Sequence, residues 1–151
     1  MIRQLKCFLN VHSIALAAVG AVLAGSSLIA AEPHCRLQNA VMTGTYVTSG
    51  SGTITGVGPL ASVGLVVYNG DGTGTLLSGT NVINGSSSTL ANIPATFTVN
   101  SDCTGSKTIG TGASAVHFNF VISPDGSTIT WIVTDPGVTM LGVATRLKGF
   151  N

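Results

Sequence analysis

The feature that most constrains this chain is the regular return of turn chemistry. Asn69-Gly70-Asp71-Gly72, Asn84-Gly85, Asn100-Ser101-Asp102, Pro124-Asp125-Gly126 and Asp135-Pro136-Gly137 each separate runs rich in Val, Ile and Thr. Asn-Gly and Asp-Gly pairs tolerate the left-handed backbone of tight hairpins, while β-branched residues favour extended chain. Beyond the first thirty residues no stretch repeats its apolar residues at helical spacing, and Gly, Ser and Thr are poor helix formers. The marks predict eight strands, at about 43–49, 60–68, 74–83, 88–99, 105–110, 115–122, 128–134 and 139–147.

Short connections predict that these strands pair in sequence, antiparallel. Closure into an up-and-down barrel removes every sheet edge, and a two-sheet β-sandwich is the alternative. The expected fold class is therefore all-β, with residues 43–151 as one eight-stranded barrel domain and 32–42 as a short lead-in. Val116, Phe118, Phe120 and Ile122 share one face of their strand, with His117 and Asn119 on the other. Ile129, Trp131 and Val133 form the matching row across the Pro124-Asp125-Gly126 hairpin. Leu65-Val66-Val67 and Leu76-Leu77 are continuous, which predicts strands buried on both faces there.

The N-terminus carries Arg3 and Lys6, then a long apolar run to Ala24, then small residues before Glu32-Pro33. That order predicts a helical, cleaved signal peptide over 1–31, and hence a secreted or periplasmic protein. No later segment approaches the roughly 18 apolar residues of a membrane-spanning helix, so no membrane association is expected after cleavage. Loss of the leader leaves four basic residues (Arg36, Lys107, Arg146, Lys148) against five acidic ones (Glu32, Asp71, Asp102, Asp125, Asp135), a net charge of −1. Nothing in that set makes a basic field for a phosphate backbone, which argues against nucleic-acid binding. Cys7 leaves with the leader, and Cys35 and Cys103 remain as an even pair in an exported chain. They are expected to form a disulfide, worth about 4 kcal/mol in the chain-entropy picture.

Catalytic motifs are sparse. Asn69-Gly70-Asp71-Gly72-Thr73 has the alternating oxygens of a calcium loop but a single carboxylate, and Thr80 stands where an EF-hand needs glutamate. Gly56-Val57-Gly58-Pro59-Leu60-Ala61 matches a dinucleotide fingerprint but leads into a strand rather than a helix. Two histidines and two oxidised cysteines do not make a zinc site, and the four remaining aspartates lie in turns where they cap their own backbone. No cofactor, metal or catalytic residue is therefore assigned. By elimination the candidate ligand-binding residues are Tyr46, Tyr68, Phe97, Phe118, Phe120 and Trp131, whose bland alternative is core packing. Among titratable groups in the body of the strands, His117 is the candidate for any acid–base role, and the reading preferred for it is a satisfied or solvent-exposed histidine.

Gly44-Thr45-Tyr46-Val47, Gly58-Pro59-Leu60-Ala61-Ser62-Val63-Gly64, Tyr68-Asn69-Gly70-Asp71-Gly72-Thr73-Gly74 and Phe97-Thr98-Val99-Asn100-Ser101-Asp102-Cys103-Thr104-Gly105 occur in that order. Together they resemble a group of small exported bacterial proteins whose domain is similar to the allene oxide cyclase barrel, over roughly residues 40–147. The resemblance implies an eight-stranded barrel with a central cavity. In that fold, plant enzymes cyclise a fatty-acid epoxide and bacterial relatives fold polyketide chains; no catalytic position carries over. Three functions stay open: a barrel that binds a small apolar ligand without catalysis, a cyclase or isomerase acting on an oxylipin or polyketide, and a surface structural or interaction protein. Interior volume separates them.

Overall fold

A computed structural model describes residues 34–149, so the expected signal peptide lies outside the described residues. Eight strands follow one another: β1 (Thr43–Ile54), β2 (Gly58–Asn69), β3 (Thr73–Ile83), β4 (Ser86–Val99), β5 (Thr104–Ile109), β6 (Val116–Ile122), β7 (Thr128–Val133) and β8 (Val138–Arg146). Each pairs antiparallel with the next, and β8 returns to β1 from Tyr46↔Arg146 to Ile54↔Val138, closing the barrel. The only helical pieces described are short 3-10 turns at Gln38–Val41 and Gly112–Ser114.

The turn marks act as expected. Thr73 donates its backbone N–H and its hydroxyl to Asp71 Oδ1, at 2.9 and 2.6 Å, and Thr104 does the same to Asp102 Oδ1. The β2–β3 and β4–β5 hairpins are thus one Asn-x-Asp-x-Thr device used twice. Cys103 takes the left-handed position (φ 67°) that Gly72 holds in the first copy (φ 98°). These two hydrogen bonds to each carboxylate hold Asp71 and Asp102 below the ordinary carboxylate pKa, the Thr hydroxyl contributing most. Asp135 departs from the expectation that it caps its own turn. It accepts from the backbone N–H of His117 at 2.9 Å instead.

Two expectations need correction. β1 does not stop near residue 49; it continues through Gly50-Ser51-Gly52-Thr53 to Ile54, paired on both sides. Small residues gave that stretch no apolar signal, yet it is where the barrel needs space. A Cβ on Gly50 or Gly142, which face each other across β1 and β8, would run into the Trp131 indole. The apolar runs are also not buried on both faces. Val66 is buried between half-buried Leu65 and Val67, while a β-bulge between Leu65 and Val66 shifts the register against β3. Leu77 is the extra residue. Leu76 points inward and Leu77 outward, 39 % exposed.

Inside, the barrel is filled asymmetrically. At the end where β1 begins, the segment 35–42 folds across the opening. Cys35 is disulfide-bonded to Cys103 with Cα atoms 5.0 Å apart, and Cys35 N donates to Ser101 O at 2.8 Å. Asn39 Oδ1 accepts from Val99 N at 2.8 Å, and Val41 and Met42 are buried beneath. Arg146 completes this cap by donating to Val41 O and to the Tyr46 hydroxyl, which itself donates to Gly126 O at 2.6 Å. Tyr46, Tyr68 and Phe97 stack edge to face below it, with centroids 5.4 and 5.2 Å apart. Large side chains pack this half of the barrel.

Candidate ligand cavity

The other half keeps open space. Strand alternation sends Leu60, Leu76, Ile83 and Leu90 inward from β2, β3 and β4, and Ile109, Phe118, Trp131, Val133 and Met140 from β5 to β8. Together they enclose a cavity of about 240 Å³, with Thr48, Ser62 and Asn81 as scattered polar points. An apolar cavity of ~150 Å³ is already large enough to hold benzene. Ile54, Ile83, Ile109 and Val138 sit at the strand ends around it, partly buried. Ser62, Gly64 and Asn81 also face this half, and their small or polar side chains leave space among the large ones. Trp131 forms one wall, edge to face with Phe118 at 5.3 Å and with its indole N–H donated to Thr48 Oγ1 at 3.1 Å.

Lys107 lies at the floor. Its side chain is 4 % exposed, and no carboxylate stands within ion-pair distance of it among the described residues. Nζ donates to the Tyr68 hydroxyl at 3.4 Å, a long bond, and lies 4.8 Å from the Phe118 ring centroid and 5.1 Å from that of Trp131. Removing an ammonium group from water without a counter-ion favours its neutral form. Burial accordingly pushes the Lys107 pKa down to about 7. Burial also raises the Tyr68 phenol well above its ordinary value, so Tyr68 stays protonated.

All six aromatic candidates point into the barrel and are buried, but they serve two ends. Phe118 and Trp131 line the cavity. Tyr46, Tyr68 and Phe97 form the stack of the capped half, and Phe120 lies over Gly105, where a Cβ would strike its ring. His117 takes the face opposite the aromatic row, as its place in the alternation implies. It lies on the outer face of β6, its side chain 56 % exposed, with Nδ1 2.7 Å from Asp135 Oδ1. The buried titratable side chain of the cavity is Lys107, which counting charges along the sequence did not single out. A signal for it was present: Lys107 alternates with Gly105 and Ile109, and the hairpin register sets that row beside Phe118 and Phe120.

Among the described residues no three His, Cys, Asp or Glu side chains gather in a metal-binding group, and no helix is long and apolar enough to cross a membrane. Comparison with protein-family models, with curated proteins and with solved structures finds no match.

Proposed function

We propose that this protein is a secreted or periplasmic barrel that holds a small apolar molecule in the uncapped half of its lumen without transforming it. One observation carries the reading: a barrel of this strand number can fill its interior with side chains, and this one leaves a cavity of about 240 Å³. That cavity is lined by aliphatic and aromatic groups, which gives an apolar guest a driving force of ~25 cal/mol per Å² removed from water. The disulfide fits maturation in an oxidising compartment, which supports export.

The cyclase or isomerase reading would require an acid–base group beside the guest. His117 points away from the lumen, so Lys107 would have to fill that role. The structural-protein reading has no use for the cavity. Native purification followed by mass spectrometry of an organic extract should recover a small apolar compound, and a fluorescent apolar dye should bind the emptied barrel. Ser62→Leu places a larger side chain in the cavity wall and should abolish dye binding while preserving the fold. Unaltered dye binding by a folded Ser62→Leu protein would place the dye elsewhere and remove the support for this reading.

A further inference from the structure

We propose that Lys107 is a covalent anchor, whose ε-amine condenses with the carbonyl of an apolar aldehyde or ketone entering the cavity and holds it as an imine. This rests on the cavity being a ligand site and adds the reacting group of the ligand. A single amine stands at the closed end of an apolar chamber, with aromatic faces on two sides and one hydroxyl at hydrogen-bonding distance. The arrangement disfavours the ammonium, because burial strips it of water and no carboxylate among the described residues pairs with it; Asp135, on the cavity wall, is hydrogen-bonded to His117 at 2.7 Å. What the site stabilises is the free amine, and the chemistry of a free amine is nucleophilic.

The condensation balances without any further reactant. The Nζ lone pair forms the C–N bond as the carbonyl π bond breaks, and the oxygen takes up a proton to give a carbinolamine. Loss of that hydroxyl as water, with the second amine proton, leaves the C=N bond; one carbonyl compound and one amine become one imine and one water. Oxidation states do not change. Tyr68 Oη, 3.4 Å from Nζ, is the neighbouring O–H that can relay the proton, and its burial keeps it protonated. The other titratable groups inside the barrel, Tyr46 and Arg146, are bound to each other in the capped half. An apolar wall then slows return of water to the imine. An incoming carboxylate is the other chemistry an ε-amino group accepts. It would have to be desolvated beside an ammonium that the site disfavours, and such buried pairs roughly break even.

The test uses the purified, disulfide-intact protein with naphthaldehyde as probe, cyanoborohydride as trap, and methylnaphthalene and naphthoate as non-condensing controls. The expected result is a reduced adduct mapped to Lys107 in preference to Lys148, formed at least ~100-fold faster than on free Nα-acetyl-lysine, since at pH 7 an ordinary lysine amine is neutral in only about one molecule in 10³. Its rate should reach half its maximum near pH 7, and Lys107→Met, its fold verified by near-ultraviolet circular dichroism, should lose the adduct. If naphthaldehyde and methylnaphthalene both bind but no adduct forms on Lys107, the anchor is wrong and the ligand site stands. Adducts spread equally over Lys107 and Lys148 would also overturn the anchor, as would naphthoate binding at least tenfold tighter than methylnaphthalene with no adduct. If none of the three compounds binds, the ligand-site reading fails as well.

Discussion

Replacing Lys107 by Met should stabilise the protein, and by an amount that depends on pH. The unfolded chain binds a proton at this residue up to pH 10.5, whereas the folded barrel releases it at about 7. Between those values the unfolded state carries more protons, so wild-type stability rises with pH, by at most ~1.4 kcal/mol per pH unit from this one group. The destabilisation relative to a neutral side chain is then about 4 kcal/mol at pH 7, about 3 at pH 8 and about 1 at pH 10. Below pH 7 it levels off. Met has a similar length, no charge, and a thioether suited to a site between Phe118 and Trp131. It forfeits one long hydrogen bond to Tyr68, on the order of 1 kcal/mol. Urea unfolding of both proteins, with the disulfide oxidised, at intervals from pH 6 to pH 10 reads the difference directly. The two stability curves should converge as pH rises. Parallel curves across pH 7 to 10, or a variant less stable than wild type at pH 7, would mean that Lys107 is not buried as an unpaired amine.

Reduction, or the paired change Cys35→Ser and Cys103→Ser, should lower stability by about 2–5 kcal/mol and release the segment that caps the barrel, seen as a fall in Tm and new amide exchange at residue 35 and Val99, whose N–H groups donate to Ser101 O and Asn39 Oδ1. Gly142→Ala should cost about 1–3 kcal/mol, because the new Cβ meets the Trp131 indole and Ser49 O; near-ultraviolet circular dichroism should register the displaced indole. His117→Ala should leave dye affinity within twofold of wild type, since the ring lies outside the barrel. A large loss of affinity there would relocate the ligand to the outer face of β6.

Much of the fold was legible because strand and turn signals are local. The Asn-x-Asp-x-Thr turns announce themselves through the hydrogen bonds that Asp71 and Asp102 make within five residues of chain. The alternating rows of β6 and β7 follow from the two-residue period of extended backbone. Local signals fail where a strand is built for what it makes room for. Residues 50–53 look like a loop and are strand, because the Trp131 ring requires glycines at Gly50 and Gly142 on neighbouring strands. Leu76-Leu77 looks like a doubly buried run and is a bulge, a one-residue offset that only the partner strand reveals. The site was half legible. Aromatic residues could be collected by type, but whether each lines a void or fills the core depends on its height along the barrel axis.

Local sequence is enough to specify an extended chain with eight strands and the hairpins between them. These follow from backbone preferences that a few neighbouring residues decide. It took the folded barrel to show that the segment around Cys35 closes one end, that Tyr46, Tyr68 and Phe97 gather beneath it, and that Lys107 is enclosed with no counter-ion among the described residues. The physical reason is closure: when β8 meets β1, every inward row is brought to a shared axis. Packing there depends on which side chains stand at the same level, a relation among residues far apart in the chain.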